Sequence, residues 1–153
     1  MTIQMTIIGL RQVGASIGLA LKDHADLVRR IGHDRDSAVA RQAEKLGAVD
    51  KLAFNLPAAV READVVLLTE PVDQLLETLK TIAPDLREGA VVMDTAPVKA
   101  GLIEQALNLL PPERHYLSLL PAANPVYLFE PAAGPESAHA DLFKGGVILI
   151  SEP

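Results

Sequence analysis

Two glycines five positions apart, Gly9 and Gly14, stand between a strand-like run and a helix-like run, and they constrain this chain more than any other feature. Ile3-Gln4-Met5-Thr6-Ile7-Ile8 reads as a buried strand. Val13, Ile17 and Leu21 recur at i, i+4 and i+8, one face of a helix. A second strand, Val28 to Ile31, is followed by Gly32-His33-Asp34, which places a carboxylate about 20 residues beyond Gly14. Strand, glycine turn, helix, strand and acid in this order form a dinucleotide-binding fingerprint. In its standard form the first glycine makes the tight turn, the second lets the backbone approach the pyrophosphate, and the third lets the helix pack close to the strand. Gly9 and Gly14 fill the first and third roles, and Arg11 stands in the second.

The substitution leaves two readings of the turn. A side chain at Arg11 narrows the approach of the backbone, but a guanidinium can also grip a phosphate in bidentate fashion. The candidate cofactor-binding residues here are Gly9, Leu10, Arg11, Gln12, Val13 and Gly14, with the phosphates docked on the N-terminus of the helix. Asp34 is positioned to accept hydrogen bonds from the adenosine ribose hydroxyls, and its charge would repel a 2′-phosphate, which favours NAD over NADP. Arg35 pulls the other way, because an arginine near that spot accommodates the 2′-phosphate in some enzymes. Asp34-Arg35-Asp36 also has a plainer reading, a solvated turn in which Asp36 caps the next helix.

Strands and helices alternate along the rest of the chain, which predicts a Rossmann-type α/β fold, a doubly wound, mostly parallel sheet covered on both faces. Helices are expected over Ser37 to Leu46, Leu56 to Ala63, from Val72 to before Pro84, and from Val98 to Leu110. Val65 to Thr69, Ala90 to Asp94, Tyr116 to Leu120 and Val147 to Ile150 read as strands. Ala122 to Ala140 is rich in Pro and Ala and has no clear period. A length of 153 residues, 49% of them hydrophobic, fits one domain, 1–153, with an aliphatic core, since aromatics make up only 3%. Without cysteine there is no thiolate nucleophile or thiolate zinc site, and no metal site is expected. The apolar runs are short for a membrane span and the N-terminus has no leader pattern, so a cytoplasmic location is expected. A net charge of −6 argues against nucleic acid as a partner.

Ligands of such folds sit outside the carboxyl ends of the strands. That adds Thr69, Glu70 and Pro71, then Asp94, to the candidate cofactor-binding residues, and places Thr95-Ala96-Pro97 and Leu120-Pro121 along the same crevice. Glu70 and Asp94 could equally cap the helices that follow them.

The ordered set of motifs resembles the nucleotide-binding half of prephenate and arogenate dehydrogenases, the oxidative enzymes of tyrosine biosynthesis. The likeness runs through Ile7-Ile8-Gly9-Leu10 with Val13-Gly14-Ala15-Ser16-Ile17, Gly32-His33-Asp34-Arg35, Gly47-Ala48-Val49-Asp50, and Ala63-Asp64 leading into Thr69-Glu70-Pro71-Val72. It continues through Asp94-Thr95-Ala96-Pro97-Val98-Lys99, Leu120-Pro121-Ala122-Ala123-Asn124 and Asp141-Leu142-Phe143-Lys144-Gly145. The resemblance implies a nicotinamide dinucleotide as partner, a small carboxylate as substrate, and hydride transfer coupled to loss of carbon dioxide. It also implies departures at the chemistry. Leu120 occupies the place of the family's catalytic histidine, and Pro97 that of its supporting serine, so no catalytic residue is assigned. His24, His33, His115 and His139 each suit surface or capping roles rather than a replacement. The family normally continues into a helical domain that forms a dimer and grips the substrate. This chain stops just past its last strand, so either a longer protein was shortened or the domain stands alone. Tyr127 and Phe129 would then cover an apolar surface or face a partner, a helical domain or a second copy. Three readings compete: the cofactor domain of a prephenate-dehydrogenase-like oxidoreductase, a non-catalytic nucleotide-binding or regulatory module, and another Rossmann enzyme such as a β-hydroxyacid dehydrogenase or an imine reductase.

Overall fold

The apolar runs pair side by side into a single seven-stranded sheet of order β3-β2-β1-β4-β5-β6-β7. In the computed structural model, which describes residues 1–130 and 134–151, the strands are β1 (Ile3–Ile8), β2 (Val28–His33), β3 (Lys51–Leu52), β4 (Val65–Leu68), β5 (Val91–Asp94), β6 (His115–Pro121) and β7 (Ile148–Ser151). The first six run parallel, and β7 pairs antiparallel with β6. The helices are α1 (Gln12–Ala20), α2 (Ser37–Leu46), α3 (Leu56–Val60), α4 (Val72–Ile82) and α5 (Leu102–Leu109). This is the expected doubly wound fold, with its switch of direction between β1 and β4.

Adjacent residues in the central strands point to opposite faces, which is why those strands are apolar without alternation. Ile8, Val66, Leu68 and Val92 pack against Val60, Leu75, Leu79, Ile82 and Leu102 on the side of α3, α4 and α5. Ile7 and Leu67 face the other way, onto Leu10, Ala15, Ala40 and Ala43 beside α1 and α2. The small residues on that side let α1 lie close to the sheet. At Gly18 an added Cβ would overlap the carbonyl oxygen of Ala48.

Several boundaries differ from the sequence expectation for local reasons. α3 stops at Val60 instead of Ala63, because the chain must turn so that Asp64 can accept from the Gln4 N–H at 2.9 Å and start β4 beside β1. α5 begins at Leu102 instead of Val98: Lys99 is held by Asp94 and by the Leu119 carbonyl, and Gly101 enters the helix at φ 71°. The two-residue edge strand β3 was not anticipated, since it is too short to show a period. Asp36 does cap α2, accepting from the Ala38 N–H at 2.9 Å.

Within Ala122–Ala140, residues 131–133 lie outside the described residues, as do 152–153 at the chain end. The described part makes two short helical turns, Pro125–Tyr127 and Pro135–Ser137, and is fastened to α1. Gln12 donates to the Ser137 carbonyl at 3.1 Å, and Ser16 accepts from the His139 N–H at 3.0 Å. Tyr127 stacks on His139 with ring centroids 3.9 Å apart, while Phe129 is 93% exposed. Val147, Ile148, Leu149 and Ile150 are exposed too, so the β7 edge is apolar on both faces. Among the described residues no helix is long and apolar enough to cross a membrane.

Candidate functional site

The site is built where β1, β2 and β4 end together. Gly9 leaves β1 at φ 93°, a left-handed conformation that glycine adopts without strain. Gly14, one turn into α1, faces that bend directly: an added Cβ would overlap the Gly9 carbonyl oxygen and stand 2.6 Å from Thr69 Oγ1. Thr69 braces the bend from the β4 side, its hydroxyl donating to the Gly9 carbonyl at 2.6 Å. Asp34 braces it from β2, where Oδ2 accepts from the Leu10 N–H at 2.7 Å and Oδ1 from the Asp36 N–H at 2.9 Å. Each oxygen keeps a lone pair for a further donor.

This frame aims the N-terminus of α1 into open space. The first-turn N–H groups of a helix have no partner within it and carry the positive end of its dipole, so they attract anions. No acidic residue in the first turn of α1 offsets that field. Arg11, the residue before the helix, adds a full positive charge at the same point on an exposed side chain.

A cavity opens on each side of the helix end. One, of about 330 Å³, lies between the ends of β2 and β4 and is lined by Gly9, Arg11, Asp34, Arg35, Thr69, Glu70 and Pro71. Asp36 and Gln74 complete its wall. The other, of about 280 Å³, lies beyond the ends of β5 and β6 and is lined by Gln12, Val13, Thr95, Leu120 and Pro121. Its outer wall comes from Ala123, Tyr127, Leu128, Glu130, Leu142 and Phe143. A dinucleotide laid across α1 would put one half in each cavity and its phosphates between them.

Two of the residues expected at the cofactor, Asp94 and Leu10, line neither cavity. Asp94 is 0% exposed and borders neither cavity. Its carboxylate is taken up by Tyr116 Oη at 2.7 Å, Ser118 Oγ at 2.5 Å, the Ala96 N–H at 2.8 Å and Lys99 Nζ at 3.0 Å. It is a knot between β5, β6 and the following loop, and together with burial it pushes the Tyr116 phenol well above its usual range. Leu10 places its side chain in the core and offers only backbone to the turn. Capping is not the role of Glu70, because α4 starts from Pro71 with no side-chain cap.

The histidines divide. His24 and His115 are exposed, as expected, but His33 is buried, with Nδ1 2.7 Å from the Ala53 carbonyl. His139 is half-buried, against Glu130 Oε2 at 2.7 Å. Leu120 is 38% exposed on the second cavity, whereas Pro97 is exposed on the loop after β5 and does not line it. Among the described residues, no histidine lines that cavity. The wall residues Gln74, Tyr127, Glu130, Leu142 and Phe143 were not among the candidate site residues of the sequence reading, although Tyr127 was expected to cover an apolar surface. Gln74 was accessible to that reading, being one turn beyond Pro71; Tyr127 and Glu130 sit in a segment without period, and Leu142 and Phe143 follow it.

Comparison with known proteins supplies the context. The family model described as the prephenate dehydrogenase nucleotide-binding domain matches residues 17–152, which begins just after the glycine turn. A prephenate dehydrogenase from Lactococcus lactis is 35% identical over 107 residues, covering 69% of this chain and 30% of that protein. A cyclohexadienyl dehydrogenase from Zymomonas mobilis is 29% identical over 147 residues, covering 96% of this chain and 48% of that protein. The crystal structure of prephenate dehydrogenase from A. aeolicus in complex with hydroxyphenyl propionate and NAD+ superposes with a TM-score of 0.85 at 23% identity, covering 100% of this chain and 51% of that one. The chain thus spans about half the length, or less, of these proteins.

Proposed function

The chain belongs to the prephenate dehydrogenase family, as its nucleotide-binding domain, and from that premise we propose that it binds NAD(H) across the N-terminus of α1. The adenosine half enters the cavity beside Asp34, the pyrophosphate rests on the first turn of α1, and the nicotinamide half reaches the cavity beside Leu120. The observation that carries this reading is the pair of cavities meeting at one helix N-terminus, on a turn braced from both neighbouring strands. The A. aeolicus relative, solved with NAD+, supports the choice of ligand. Asp34 favours NAD(H) over NADP(H), because a 2′-phosphate would approach its carboxylate.

Arg11 clamps the pyrophosphate. Its side chain borders the first cavity and is exposed, not folded into the turn. Calorimetric titration of the chain with NADH, repeated with NADPH, tests the whole reading: NADH binds, and NADPH binds more weakly. Arg11→Ala then weakens NADH binding by about 1.5–3 kcal/mol, the worth of a hydrogen bond to a charged group. Tighter binding by that variant would mean that the arginine obstructs the site, and no heat with wild-type chain would sink the cofactor reading itself.

The reaction at family level is oxidative decarboxylation of a prephenate-like carboxylate, for which bound NAD+ supplies the hydride acceptor. Leu120 and Pro97 provide no group that could draw off the substrate hydroxyl proton, and loss of a positioned base forfeits roughly 10²–10⁴-fold in rate. That no histidine is among the described residues lining the second cavity therefore favours a nucleotide-binding module of low or no turnover. Incubation with prephenate and NAD+ should yield little or no NADH. Rapid NADH formation would mean that another residue takes the proton. The substrate-gripping remainder of the site would come from a helical domain or a second copy seated on the apolar β7 edge.

A further inference from the structure

Arg35 follows Asp34 at the end of β2, where an arginine can receive the 2′-phosphate of NADP. Its guanidinium is already engaged within the protein. Nε lies 3.3 Å from Glu70 Oε1, and Nη2 donates to Thr78 Oγ1 at 3.0 Å, so the side chain lies along the start of α4. The two partners differ in what they can do without each other. The Arg35 side chain is 46% exposed and would find water anywhere on its arc. The Glu70 side chain is only 5% exposed, and its Oε2 is buried with no hydrogen-bond partner among the described residues. If Arg35 swung out, a buried carboxylate would be left uncompensated, and a buried carboxylate is costly unless paired. Thr78, also buried, would lose its donor.

We propose that Glu70 is a specificity-determining residue that latches Arg35 away from the 2′ position and so biases the site toward NAD(H). The proposal rests on the reading that the first cavity takes the adenosine half of a dinucleotide. Asp34 and Glu70 then discriminate in two ways. Asp34 repels the 2′-phosphate by its own charge, and Glu70 withholds the cation that could offset that repulsion. The dipeptide Asp34-Arg35 alone points in both directions at once, and the Glu70 contact decides between them.

The test is the ratio of Kd for NADPH to Kd for NADH, measured by calorimetry on the wild-type chain and on Glu70→Gln, Thr78→Val and the double variant Glu70→Gln/Arg35→Ala. Glu70→Gln keeps the size of the side chain and removes the charge that holds Arg35. The ratio should fall at least about tenfold, the worth of one charge-assisted hydrogen bond made available to the phosphate. Thr78→Val, which cuts one of the two anchors, should lower it less. In the double variant the gain should vanish, since the cation is gone. A ratio unmoved in folded Glu70→Gln overturns the latch, as does a fall that survives removal of Arg35. Should Glu70→Gln fail to fold, an unmoved ratio in Thr78→Val overturns it instead. A wild-type chain that binds NADH while the variants leave the ratio unmoved sinks the latch alone, whereas one that binds neither dinucleotide sinks the cofactor reading and the latch with it.

Discussion

Gly14→Ala is expected to abolish measurable dinucleotide binding and to destabilise the chain by about 3 kcal/mol, the upper part of the range for forcing atoms into a packed site. The new Cβ would overlap the carbonyl oxygen of Gly9 and press on Thr69 Oγ1, and neither neighbour can give way. Gly9 is held at φ 93° between the ends of two strands, and the Thr69 hydroxyl is bonded to the same carbonyl. The strain can be relieved only by moving α1 outward, which displaces the N–H groups proposed to receive the phosphates. Loss of positioning of about 1 Å is enough to cost a site most of its effect. Urea denaturation and NADH titration on the same variant check both halves of the expectation. Wild-type affinity in Gly14→Ala would show that the phosphates do not sit on this helix end. Ordinary stability would show that the close approach of helix and turn is not needed.

That prediction could be framed from the sequence because a glycine turn between strand and helix leaves little conformational choice. The same holds for β4 and β5, whose unbroken apolar runs belong only in strands covered on both faces. What stayed hidden were features set by contacts distant in sequence. α5 starts late because Lys99 reaches back to Asp94 and across to the Leu119 carbonyl, a constraint no helical period encodes. β3 exists only because Asp50 and Ala53 hydrogen-bond to β2, and two residues carry no pattern of their own.

The site divides along the same line. The residues of the first cavity follow the fingerprint and the strand ends, so Asp34, Thr69 and Glu70 were all identified from their positions. Asp94 follows the same rule but lines neither cavity. It does sit at the end of a strand, but Tyr116 and Ser118 one strand over turn its carboxylate into the interior. Of the outer wall of the second cavity, only Tyr127 was expected to cover an apolar surface, and nothing placed it in the site. Tyr127 and Glu130 arrive there in an aperiodic segment that Gln12 and Ser16 fasten to α1 by single hydrogen bonds.

Arg30 is the residue outside the cavities on which stability should depend most. Its guanidinium is buried beneath the loop that joins α2 to β3, and it ties two chain segments, α1 and that loop, to β2. Nη1 donates to the carbonyls of Gly18 at 2.7 Å and Gly47 at 3.1 Å, while Nε donates to Asp50 Oδ2 at 3.2 Å and Nη2 pairs with Asp50 Oδ1. The Arg30 backbone completes the link, with its N–H on Asp50 Oδ2 at 2.7 Å and its carbonyl receiving the Asp50 N–H at 2.9 Å. Arg30→Met keeps the stem and removes every charged donor, which leaves buried carbonyls unpaired and Asp50 without its cation. A loss of about 3 kcal/mol is expected, because the Gly18 and Gly47 carbonyls lose their donor while Asp50, 36% exposed, keeps its access to water. That is a large part of the roughly 5–15 kcal/mol that stabilises an ordinary domain. Acid should reveal the same interaction. The hydrogen bond from the Arg30 side chain holds the Asp50 carboxyl below its ordinary value of 3.8 against the opposing effect of burial. A group depressed in the folded state contributes stability above its unfolded pKa and loses it as pH falls through the folded one. Wild-type stability should therefore decline as pH drops below about 4, and the share due to Asp50 should be missing in Arg30→Met and in Asp50→Asn. Denaturation curves at neutral pH and at several acidic values decide the matter: if Arg30→Met matches wild type at neutral pH, the loop between α2 and β3 is held by something other than this guanidinium.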